Sequence, residues 1–160
     1  MRFLSHDGNV LASGSNDYTV KLWDALTGKE FATMRGHDLG VRGGVLFSVD
    51  DKTLVTGSMD STVRFWDIAT RTEKVWLGAS SEILSIALSP DGNRVAGGGQ
   101  DYSLKLWDGM SGQEAANLEN TGEQVRGLTF SLDDKTLATA TRDRQARLGD
   151  VAAILEGSAR

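Results

Sequence analysis

The chain repeats the dipeptide Trp-Asp at nearly constant intervals. Copies stand at Trp23-Asp24, Trp66-Asp67 and Trp107-Asp108, and the next position in the series reads Gly149-Asp150. The steps are 43, 41 and 42 residues. An aspartate precedes each copy by six residues, at Asp17, Asp60, Asp101 and Asp143. A serine precedes each copy by 18 residues, at Ser5, Ser48, Ser89 and Ser131. A fixed period near forty residues is typical of repeat arrays. We therefore predict one array, with units at about 1–36, 37–78, 79–119 and 120–160.

Each unit reads as four short alternating segments separated by turn residues, a pattern that indicates antiparallel strands. The third unit shows it best, with ILSIALS, RVAGGG, SLKLW and EAANL separated by turns that include Asp91-Gly92 and Ser111-Gly112. In VKLW, Val20 and Leu22 share one face while Lys21 and Trp23 share the other. Because apolar residues lie on both faces, each sheet is expected to pack between copies of itself, as propeller blades do.

The segments LASGSNDYTVKLWD and LVTGSMDSTVRFWD are similar to the repeat of the WD-repeat β-propeller family, and the pair Gly36-His37 precedes the second of them as that repeat requires. The resemblance covers essentially the whole chain. It implies an all-β fold of about four propeller blades, each with four antiparallel strands.

The same resemblance implies a structural role for a histidine, a threonine and an aspartate whose types match those of a hydrolytic triad. In the second unit, His37, Thr56, Asp60 and Trp66 match the family's hydrogen-bond network. The other units keep only parts of this network, at Ser13, Asp17 and Trp23, at Asp101 and Trp107, and at Thr139 and Asp143. In the third unit, Ala79 stands at the histidine position and Gly97 at the hydroxyl position. In the fourth unit, Thr121 stands at the histidine position and Gly149 at the tryptophan position. Loss of a buried Trp-sized group typically costs about 3–5 kcal/mol, so the last blade is expected to be the least stable.

Ring closure is the open question, since rings in this family usually contain seven or eight blades. The chain encodes about four, which leaves three alternatives: a segment of a longer propeller, half of an eight-bladed ring completed by a homodimer, or a strained four-bladed ring. We favour the segment, because residue 1 falls inside an inner strand of the family pattern.

Composition excludes several classes of function. The chain has 17 Lys and Arg against 22 Asp and Glu, a net charge of −5, which does not favour nucleic acid as a partner. It lacks cysteine, a secretory signal pattern and any long apolar run, so we expect a cytoplasmic protein without a membrane span. His6 has no other ligand-type residues at metal-binding spacing, and Gly97-Gly98-Gly99 lacks the context of a phosphate loop. No metal or cofactor is therefore expected.

The resemblance implies a non-enzymatic scaffold that binds proteins or peptides through loops on the upper face of the propeller. The residues it nominates precede the turn aspartates or enter the inner strands: Asn16, Met59, Gln100, Arg142, Arg42, Leu84 and Arg126. The three arginines would suit an acidic peptide. The chain offers no convergent set of histidines and carboxylates for catalysis. The alternative is a regulatory propeller segment of a larger signalling enzyme, such as a kinase or protease fusion.

Overall fold

The computed structural model describes residues 2–109, 111–118 and 121–157. This part of the chain contains fifteen strands and one helix. Their bounds are β1 (Arg2–Leu4), β2 (Val10–Gly14), β3 (Val20–Asp24), β4 (Glu30–Met34), β5 (Gly44–Phe47), β6 (Thr53–Gly57), β7 (Thr62–Asp67), β8 (Thr72–Gly78), β9 (Ile83–Leu88), β10 (Arg94–Gly99), β11 (Leu104–Asp108), β12 (Glu114–Leu118), β13 (Val125–Phe130), β14 (Thr136–Thr141), β15 (Ala146–Asp150) and α1 (Val151–Gly157). Residue 1 and the unit boundary at 119–120 lie outside the described residues.

The strands form four antiparallel sheets, each with its strands in sequence order. We call β1–β4, β5–β8 and β9–β12 blades one to three, and β13–β15 with α1 blade four. The inner strands β1, β5, β9 and β13 lie next to one another in that order. The prediction of an all-β array of propeller blades is confirmed.

Blade four corrects the prediction of four strands in every blade, because its sheet has three strands and the chain then enters α1. In blades one to three, the aspartate that ends the third strand accepts a hydrogen bond from the N–H of Thr27, Thr70 or Ser111. The next residue has a left-handed backbone conformation with positive φ, at Gly28, Arg71 and Gly112.

In blade four, the N–H of Ala153 donates the equivalent bond to Asp150 at 2.9 Å, but the next residue is Ile154. A β-branched side chain strongly disfavours positive φ. The tight turn is therefore not made, Asp150 caps a helix instead, and the described residues of blade four, which end at 157, contain no fourth strand.

The hydrophobic core lies between neighbouring blades. Leu22 of blade one packs in one cluster with Leu54 and Trp66 of blade two, and similar clusters join blade two to blade three and blade three to blade four. Leu148 occupies the position of Leu22 in the last blade, yet it is 77% exposed because no blade covers it. At the other end Trp23 is only half-buried, whereas Trp66 and Trp107 are buried. The array is open at both ends.

Candidate functional site

Blade two contains a continuous chain of buried hydrogen bonds. His37, in the loop before β5, places Nδ1 2.8 Å from Oδ2 of Asp60 and Nε2 2.8 Å from Oγ1 of Thr56. The indole Nε1–H of Trp66 donates to the same Thr56 oxygen at 2.8 Å. Thr56 is fully buried, so its hydroxyl links His37 to Trp66 and is not accessible to a substrate.

The charges in this network follow from its surroundings. Burial lowers the pKa of His37, and this outweighs the hydrogen bond and charge of Asp60, which act to raise it. Burial acts to raise the pKa of Asp60, but hydrogen bonds from Thr62, His37 and the N–H of Asp38 hold it below its usual value. A neutral imidazole that donates to an ionised carboxylate satisfies both groups.

An ion pair beside the network was not anticipated from the sequence. Arg64 lies 2.6 Å from Glu73 on the neighbouring strand and 3.7 Å from Asp60. The equivalent pairs Lys21–Glu30 and Lys105–Glu114 are both 2.7 Å long. The signal was present as a basic residue two positions before each Trp, with a glutamate nine residues after it.

The incomplete copies of the network have different substitutes. In blade one, Trp23 Nε1–H donates to Ser13 Oγ at 2.9 Å, and Asp17 accepts bonds from Thr19. These contacts hold the turn before β3 and the third strand itself without a histidine.

In blade three, Ser80 next to Ala79 donates a 2.6 Å hydrogen bond to Asp101. Burial acts to raise the pKa of Asp101, but hydrogen bonds from Ser103, Ser80 and Ser81 lower it to about 2. A Cβ on Gly97 would lie 2.7 Å from Cζ3 of Trp107. The indole ring therefore occupies the space that a side chain at position 97 would need.

In blade four, Asp143 accepts a bond from Thr141, and Arg147 lies 3.2 Å from its carboxylate. The same guanidinium donates to the carbonyl oxygen of Thr121 at 3.1 Å. Thr139 is half-buried. Arg147 thus joins the entering loop to the turn aspartate, the two segments that His37 joins in blade two.

The upper surface comprises the turns between second and third strands and the loops that enter each inner strand. Five of the seven predicted contact residues line one depression of about 370 Å³ there, together with Glu82: Arg42, Met59, Leu84, Gln100 and Arg126. Asn16 lines an adjoining depression with Arg42, whose Nε donates to Asn16 Oδ1 at 2.6 Å. Arg142 is exposed but lines neither depression.

Comparison with known proteins agrees with this geometry. The family model "WD domain, G-beta repeat" matches residues 2–24, 28–67, 71–108 and 112–150. The chain belongs to the WD-repeat family.

Three relatives align with between 49% and 90% of the chain. It is 38% identical to the nuclear distribution protein PAC1 of Gibberella zeae, over 90% of this chain and 36% of that protein. It is 31% identical to the U3 small nucleolar RNA-associated protein 15 homolog of Xenopus laevis, over 86% of this chain and 27% of that protein. A match of 34% identity to protein tipD of Dictyostelium discoideum covers 49% of this chain and 13% of that protein. The chain therefore spans about a third or less of these relatives.

The part of the chain that the structure describes contains neither a metal-binding cluster nor a helix that could span a membrane. Across residues 2–109, 111–118 and 121–157, no three His, Cys, Asp or Glu side chains form a group able to hold a metal ion. Helix α1 is the one helix in the same ranges, and it is too short to cross a membrane.

Proposed function

We propose that this WD-repeat array is a non-enzymatic scaffold that binds a peptide or protein segment in the upper depression between blades two, three and four. The observation that carries the proposal is the convergence of Arg42, Met59, Leu84, Gln100 and Arg126 on one depression. These residues come from three different blades, so a ligand held there contacts the rigid array and not a single loop.

The chemistry of the depression favours an acidic residue next to an apolar one. Leu84 and Met59 are half-buried and offer apolar surface, whereas Arg42 and Arg126 are exposed. Within the part of the chain that the structure describes, neither guanidinium pairs with a carboxylate. Arginine binds carboxylates through two parallel hydrogen bonds, and such charged bonds contribute more than neutral ones.

Glu82 also lines the depression, and the sequence did not identify it. Its carboxylate repels a ligand that carries only negative charge. The expected ligand is therefore a peptide with one acidic side chain near apolar residues, and not a polyanion.

The test is a binding titration, followed by fluorescence anisotropy, with a labelled peptide in which a glutamate adjoins a leucine. Arg42→Glu and Arg126→Glu are each expected to weaken binding about tenfold or more, because each removes a charged hydrogen-bond donor and adds repulsion. Arg71→Glu is the matched control, since Arg71 is exposed on the opposite surface in a turn between the third and fourth strands. Equal affinity of all three variants and the original chain would remove the proposal.

Other predictions for the whole protein stay predictions. They are the homodimer that completes a ring, the exclusion of nucleic acid, the cytoplasmic location and the alternative of a kinase or protease fusion. None of them is needed for the binding experiment above.

A further inference from the structure

The lower surface contains a second depression, of about 500 Å³, at the inner ends of the blades. The lower surface comprises the turns between first and second strands and those between third and fourth strands. In each turn between first and second strands, one residue separates the Ser of the repeat from the following Asp. All four of these equivalent residues, His6, Val49, Pro90 and Leu132, line the depression. The repeat geometry therefore brings one position of every blade to a single place.

The walls of the lower depression are mostly apolar. Behind the turns lie side chains of the inner strands, including Phe47, Leu88 and Phe130. At its mouth Leu132 is 94% exposed and Val49 is 57% exposed. Apolar residues that line a concave surface and remain open to water are typical of binding sites.

The turns around the depression carry a strong negative charge. Residues 5–9, 48–52, 89–93 and 131–135 contain six aspartates against two lysines, a net charge of −4 with His6 neutral. In each turn the aspartate that follows the lining residue accepts a hydrogen bond from the preceding serine, which lowers its pKa: Asp7, Asp50, Asp91 and Asp133. These carboxylates therefore stay ionised at neutral pH.

We propose that the lower depression binds an apolar segment of another protein that is flanked by lysine or arginine residues. The apolar walls would bury the central side chains, while the surrounding aspartates attract the flanking cations. A second copy of this chain is disfavoured as occupant because the chain carries a net charge of −5 and two such acidic surfaces repel.

The probe is a short fluorescein-labelled peptide with two leucines flanked by lysines, titrated with the full chain. Leu132→Asp and Val49→Asp are each expected to weaken its binding about tenfold, since burial of one such side chain contributes about that factor. Both variants add negative charge, so a loss of affinity for a cationic peptide reports the apolar contact. Leu26→Asp is the matched control: Leu26 is 95% exposed in a turn between the third and fourth strands of blade one and does not line the depression.

Two more peptides test the ligand chemistry. Replacing the lysines by glutamates, or the leucines by serines, is expected to abolish binding. Undetectable binding of the lysine-flanked peptide, equal binding of the glutamate-flanked one, or unchanged affinity of Leu132→Asp would each overturn the proposal. So would self-association of the chain that Leu132→Asp removes, because the occupant would then be a second copy. Arg42→Glu should leave this binding unchanged, which separates the lower depression from the upper one.

Discussion

Ile154 of helix α1 lies directly over Gly149 of strand β15, so that a Cβ on Gly149 would be 3.0 Å from Cδ1 of Ile154. Gly149 stands where the other repeats have tryptophan. The helix thus partly fills the space left by the missing indole, and α1 also packs against β12 of blade three.

The first prediction concerns this contact. Ile154→Ala should destabilise the chain by about 1–3 kcal/mol, because a half-buried apolar side chain is lost and Gly149, which has no side chain, cannot fill the space that it leaves. Urea unfolding measures the change. Glu156→Ala, on the exposed side of the same helix, should change stability by less than about 0.5 kcal/mol. Similar effects of the two substitutions would show that Ile154 does not stabilise the last blade.

The hydroxyl of Thr56 allows a second prediction. Thr56→Val keeps the shape of the side chain but leaves the buried Trp66 N–H without its acceptor and His37 without its donor. We expect a loss of about 2–4 kcal/mol in the free energy of unfolding. Ser13→Ala removes the equivalent hydroxyl beside the half-buried Trp23, where water can replace it, and should cost about 1 kcal/mol. Equal losses in chemical unfolding would contradict this difference between the blades.

Gly97 gives a third prediction, which runs against the family pattern. Gly97→Ser restores the hydroxyl of the network in blade three, yet its Cβ would lie 2.7 Å from the Trp107 ring. We expect destabilisation by about 1–3 kcal/mol, because the packed indole must move. Gly157→Ser, where nothing lies within 4 Å of the added atom, is the control. A gain in thermal stability for Gly97→Ser would refute this expectation.

The fourth prediction is the dependence of stability on pH. His37 has a folded-state pKa below its ordinary value of 6.5, so the unfolded chain takes up this proton first and stability falls as pH drops below about 6.5. Asp101 has a folded pKa of about 2 against 3.8, and it adds a further loss as pH falls from about 4 towards 2. Stability from urea unfolding should therefore be lower at pH 5.5 than at pH 7.5.

Two histidine variants test the assignment of the first loss. His37→Gln should reduce the difference in stability between the two pH values, whereas His6→Gln should retain it. The opposite pattern would place the pH dependence at the exposed turn and not in the buried network.

The success of the sequence prediction depended on which features recur in every repeat. The Trp-Asp period predicted the strand order, because each copy supplies the same turns and the same two apolar faces. The fourth strand of blade four was predicted wrongly because Ala153 and Ile154 replace the Thr-Gly, Thr-Arg or Ser-Gly pair that forms the left-handed turn in the other blades. That substitution is visible in the sequence, but its consequence depends on the φ that the turn needs.

The candidate sites differ in the same way. The residues of the upper depression share repeat positions, so the sequence could nominate seven residues for the upper face. That five of them line one depression required the structure. Glu82 and Ser80 lie in an entering loop whose sequence differs between repeats, and their contacts required coordinates. The lower depression was missed because single apolar residues in turns are common on protein surfaces. Only the geometry shows that Val49, Pro90 and Leu132 converge on one depression, together with His6.

The central claim is that the blades stabilise one another by mutual cover, and that the last blade is covered on one side only. Native-state amide hydrogen exchange tests it most directly, because protection reports the local free energy of opening. We predict faster exchange in residues 121–150 than in residues 38–78, with β15 the least protected strand. Slower exchange in residues 121–150 than in residues 38–78 would contradict the account.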